Sequence, residues 1–123
     1  MQLRLRSLVF RLIVLLIVIC LFTIVDFWAH GFEAIWSVPE YYFRHKIPYG
    51  YGLGLLGLFL SRFVKSIWTK ALVVSSVIAV LLQSGYFIKG YPLDFVITFL
   101  FIHGVILYLL SVGMFFIFER YPD

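Results

Sequence analysis

The chain has 123 residues, of which 63% are apolar, 20% aromatic and 13% charged, with a mean hydropathy of +1.06 and a formal net charge of +4. Soluble domains carry about a quarter charged residues, so this composition excludes an ordinary soluble enzyme or binding module and describes an integral membrane protein. A span takes roughly 20 apolar residues, so the predicted architecture is an all-α, four-helix membrane bundle, one polytopic unit over 1–123 with no length over for a soluble domain.

The first predicted span runs over 7–29. Arg4, Arg6 and Arg11 precede an apolar run from Leu12 to Val25 that no charge interrupts. Basic residues before an apolar run also describe a signal peptide, but the small residues of a cleavage site are missing around Phe27, Trp28 and Ala29, so the segment reads as a retained helix. Cys20 is the single cysteine and reads as a small core hydrophobe, which rules out an intrachain disulfide.

The stretch VDFWAHGFEAIW, residues 25–36, carries the densest chemistry. If the first helix continues past Gly31, then Thr23, Asp26, His30 and Glu33 fall at steps of three, four and three on one face. Two carboxylates and an imidazole are ligand types for a divalent metal such as zinc or non-haem iron, and His45 in the following segment could complete the set at the outer face. The simpler expectation is a hydrated helix end with an Asp26–His30 hydrogen bond. No known metal signature has this spacing.

Residues 32–48 mix rings with Glu33, Glu40, Arg44 and Lys46, the composition of a segment lying at headgroup depth. The second span is expected over 48–64, with Pro48 in its first turn. Within it Gly50, Gly54, Gly57 and Ser61 recur at steps of four, three and four, a face without bulk on which another helix can pack closely. That face serves either the fold itself or a second copy.

The third span, 67–88, has Thr69, Ser76 and Gln83 at seven-residue intervals, with KGYP at 89–92 as its stop. Gln83 needs a partner inside the bundle, because an unsatisfied amide in hydrocarbon costs several kcal/mol. The fourth span, 93–118, places His103 about ten residues deep, and an intramembrane ionisable group is a functional candidate.

Arg4, Arg6, Arg11, Arg62, Lys65, Lys70 and Arg120 then share one side, against Arg44, Lys46 and Lys89 on the other. The positive-inside rule puts both termini in the cytoplasm, and the expected location is the cytoplasmic membrane of a prokaryote. The basic residues form no continuous surface outside the bilayer, which excludes nucleic acid as a partner. No phosphate loop, activated nucleophile or haem attachment motif is present, so no catalytic set can be read.

Three functions fit these residues. One is a non-enzymatic component that packs with the bilayer, with copies of itself or within a larger membrane complex. Another is a small channel or carrier with a polar path at Asp26, Gln83 and His103. The last is an outer-face metal site, in a binding protein or a metal-dependent enzyme, built on Asp26, His30, Glu33 and His45.

Overall fold

A computed structural model describes residues 2–121 and contains four long helices among them: α1 (Gln2–His30), α2 (Tyr41–Ser61), α3 (Ile67–Ile88) and α4 (Leu93–Arg120), with a short 3₁₀ turn at Ala34–Trp36. Asp123 lies outside the described residues, as does the side chain of Arg4. Three of the helices, over Leu5–His30, Ile67–Ile88 and Leu93–Arg120, are long and apolar enough to cross a membrane. The second is not, because Arg44, His45 and Lys46 fall within its first two turns.

Each helix packs on its neighbour in sequence, and α4 closes the ring against α1. Cross-helix contacts fix the directions. Asp26 near the end of α1 meets Lys46 near the start of α2 and His103 in the first half of α4. At the opposite end Arg11 lies over the Phe118 ring, and Arg62, Lys65, Lys70 and Glu119 surround them. The helices therefore alternate in direction.

The side chains are distributed inside out relative to a soluble bundle. Leu5, Ile17, Ile24, Phe101, Val105 and Leu109 are exposed, whereas Thr23, Asp26, His30, Gln83, His103 and Ser111 are buried. An apolar exterior around a partly polar interior is the arrangement that lipid selects.

The glycine face packs within the molecule. A Cβ on Gly50 would come within 3.2 Å of Ile19, one on Gly54 within 2.9 Å of Leu15, and one on Gly57 within 3.0 Å of the Val74 Cα. Ser61 is buried on the same face and donates to the Leu58 carbonyl. Gly52 faces open space. The face is thus used by α1 and α3, which leaves no glycine stripe for a second copy.

Two boundaries differ from expectation in ways that affect the site. The first helix stops at His30, where Gly31 turns the chain back onto the Trp28 carbonyl, so it does not carry Glu33. The second helix begins at Tyr41 and keeps Pro48 in its interior. A proline removes one intrahelical hydrogen bond, and here the packing of the flanking turns outweighs that loss. On α3, Thr69 and Ser76 face outward and only Gln83 of the expected stripe is buried. A seven-residue repeat drifts around a helix by about 20° per step, which separates them. The α3–α4 turn is closed by Gly90 at φ +93°, with Tyr91 N–H donating to Tyr86 and Gly90 N–H to Phe87, a paired cap that only glycine adopts readily.

Candidate functional site

Asp26 is the centre of the site and has no exposed surface. It faces inward because it follows Leu15, Ile19, Phe22 and Thr23 along the packing face of α1, and Thr23 occupies its own hydroxyl on the Ile19 carbonyl. One carboxylate oxygen, Oδ1, accepts from His103 Nε2–H at 2.6 Å. The other, Oδ2, accepts from the Lys46 ammonium, which is itself only 4% exposed. Two helices thus deliver donors to one carboxylate carried by a third.

His30 stands beside this pair. Its Nδ1–H donates to the Trp36 carbonyl at 2.7 Å, which fixes the ring and leaves Nε2 as an acceptor in the neutral form. That nitrogen is 3.4 Å from Lys46 Nζ and 3.3 Å from Asp26 Oδ1. Neutral His30 can accept from the ammonium. Protonated His30 gains a second donor, aimed at Asp26. The centre therefore has two hydrogen-bonding arrangements that differ by one proton.

Aromatic rings enclose it. Phe99 stacks on His30 at 3.9 Å between centroids, Phe22 meets His103 edge-on at 5.2 Å, and Lys46 lies over the Phe43 and Tyr86 rings at 5.1 and 5.2 Å. These faces replace part of the water that a lysine would otherwise keep, and the low local dielectric strengthens the ion pair while penalising its separation. Several buried polar atoms carry unused hydrogen-bonding capacity: His103 Nδ1, the Tyr86 hydroxyl, Gln83 Oε1, Ser111 Oγ and Arg11 Nε.

The sequence candidates are distributed as follows. Asp26 and His103 meet directly. Gln83 is buried but binds elsewhere, its Nε2 donating to the Val96 carbonyl at 2.8 Å and tying α3 to α4. Glu33 is exposed in extended backbone after the helix end, and His45 is exposed against Tyr41 and Tyr49, so neither reaches the cluster. The three groups whose ligand atoms lie within 4.8 Å of one another are instead Asp26, His30 and His103. Because Asp26 is buried, the expected hydrated helix end does not form.

Lys46 is the residue that sequence reasoning missed. Its signal was present, since Lys46 lies four residues before Gly50 and so extends the face of Gly50, Gly54, Gly57 and Ser61 by one turn. Starting the helix at Pro48 removed it from view.

Fold and site together define a small helical membrane protein with a buried, charge-compensated centre near one end of its bundle. The chain matches no protein-family model, and neither a curated protein nor a solved structure matches it. Function must accordingly be argued from the site itself.

Proposed function

We propose that the protein is a four-span membrane protein with both termini in the cytoplasm, and that it moves protons through the Asp26 centre. The observation that carries this reading is a fully buried carboxylate shared by Lys46 and His103, with His30 able to become a further donor on protonation. Buried charges in a bundle contribute little net stability, and within membranes such groups mark ion and proton pathways. The unsatisfied atoms at His103, Ser111 and Arg11, which follow the interior toward the opposite end, are a penalty in a bundle built only to pack. They support conduction over a purely structural role.

The fourth span rests on geometry. Since α1 and α3 run parallel, α2 must connect opposite ends of the bundle, and its 21 residues cover about 31 Å, close to the roughly 30 Å of hydrocarbon. Arg11, Arg62, Lys65, Lys70 and Arg120 then share one end of the bundle, which supports a cytoplasmic location for that end.

A specific observation favours a second reading, a divalent-metal centre. Asp26, His30 and His103 present three ligand atoms within 4.8 Å, and the Trp36 carbonyl orients His30 as outer partners orient metal-bound imidazoles. Two features weigh against it. Lys46 already supplies the cation, and a metal on His103 Nε2 would leave a buried Nδ1–H without an acceptor. The bilayer is the partner this exterior requires. Assembly with copies of itself or within a larger complex, the non-enzymatic reading, is the account that takes over if conduction is absent.

The test is reconstitution. Liposomes loaded with a pH-sensitive dye, under a pH gradient with the potential clamped, should relax faster with the protein than without it, and Asp26→Asn should remove the difference. Relaxation equal to protein-free vesicles would reject the reading.

A further inference from the structure

A cleft of about 490 Å³ opens between the first half of α2 and the last turns of α3, against the ionic centre, with Lys46 in its wall. Its two ends differ chemically. Leu53, Leu81 and Leu82 line one end, whereas Lys89, His45 and Tyr42 line the other, at the level where the helices end. Tyr86 forms part of the wall. It is 4% exposed, and its hydroxyl is buried without a hydrogen-bond partner. Gly85 is also part of the wall, and a Cβ placed there meets nothing within 4 Å, so the space beside it is open.

The charge at the polar end is uncompensated. Among the described residues the only carboxylate in an ion pair is Asp26, and its partners are Lys46, His30 and His103. Lys89 rests instead on the face of Tyr42, at 4.0 Å from the ring centroid, with its remaining donors free. An ammonium above a leucine-lined trough matches an amphiphile with an anionic head and an apolar tail.

We infer that this cleft binds one anionic phospholipid, its phosphate held by Lys89 and an acyl chain laid along Leu53, Leu81 and Leu82. The occupant is a phospholipid because the cleft opens through exposed Tyr49 and Leu81 onto the same surface that faces lipid. Lys89 and the three leucines lie outside the Asp26 centre, and the inference does not depend on proton movement.

The test is native mass spectrometry of the purified, delipidated full-length protein, titrated with phosphatidylglycerol or with phosphatidylcholine of the same acyl chains. The cleft predicts one phosphatidylglycerol per chain and at least tenfold weaker retention of phosphatidylcholine. Removing the charge-assisted contact should weaken phosphatidylglycerol about tenfold, so Lys89→Gln should do so. Gly85→Leu should fill the cleft and abolish binding while the fold, checked by circular dichroism, is kept. Lys70→Gln, at the opposite end, should bind like wild type. Equal retention of both lipids would overturn the inference. Wild-type binding in Lys89→Gln and Gly85→Leu would do the same, as would equal loss in Lys70→Gln, which would show attraction to basic charge in general. Lys89 is exposed and Gly85 unobstructed, so both variants should fold and together decide the matter.

Discussion

Replacing Lys46 with methionine removes the ammonium from Asp26 and keeps an unbranched apolar chain between the Phe43 and Tyr86 rings. The carboxylate has no exposed surface and would retain the His103 donor, joined by His30 only when that ring is protonated. Breaking a buried pair on one side typically costs about 3–5 kcal/mol, and protonation of the stranded group limits the loss. Lys46→Met should therefore destabilise by about 3 kcal/mol. Asp26→Asn should lose a similar amount, because it strands a buried ammonium. The double variant Asp26→Asn/Lys46→Met leaves no charge uncompensated and lets the new amide accept from His103, so its loss should be only about 1–2 kcal/mol. The coupling between the sites is then several kcal/mol, far above the roughly 0.5 kcal/mol scatter of independent sites. Reversible unfolding in mixed micelles with increasing dodecyl sulfate, followed by circular dichroism, measures all three. Single variants that each lose less than about 1 kcal/mol, as exposed pairs do, would refute the burial argument. Additive losses in the double variant would refute the pairing.

Other predictions test packing, topology and metal. Gly57→Ala should destabilise by about 1–3 kcal/mol, because its Cβ meets the Val74 backbone at 3.0 Å, whereas Gly52→Ala, in open space, should be neutral or gain up to about 1 kcal/mol in the same assay. Equal effects would show that the glycine face does not hold the helices together. In a Cys20→Ser background, cysteines at 37 and 90 should react with an impermeant reagent from outside, and those at 65 and 121 only after permeabilisation. External labelling at 65 would contradict the four-span topology. Elemental analysis of purified protein should find no stoichiometric zinc or iron, and one metal per chain that disappears in His30→Ala would establish the metal reading instead.

The sequence made much of the helical framework legible. The third helix was expected over 67–88 and occupies Ile67–Ile88, and the ends of the first and fourth fall within a few residues of expectation on the loop side, where Gly31 and KGYP punctuate the chain. Those helices are uniform apolar runs, for which length in lipid decides. The second helix is not uniform. Its first two turns carry Arg44, His45, Lys46 and Pro48, residues that a local reading assigns to an interface, and only packing against α1 extends the helix over them. The site suffered the same limit. Asp26 and His30 are one turn apart and could be paired by spacing, but His103 lies 77 residues from Asp26 and meets it only through the closure of α4 on α1. Glu33 shows the converse: helical spacing placed it on the Asp26 face, and a chain reversal at Gly31 removed it.

The central claim is that the Asp26 centre carries protons, and flux from a matched series of variants tests it most directly. Wild type, Gly52→Ala, Asp26→Asn and His103→Gln would be reconstituted at equal folded protein per vesicle, with unfolding measured on the same samples. Dye-reported relaxation of an imposed pH gradient would then be compared across the series. The account predicts fast relaxation for wild type and Gly52→Ala, the protein-free rate for Asp26→Asn, and a reduced rate for His103→Gln. Relaxation by folded Asp26→Asn as fast as wild type would contradict it.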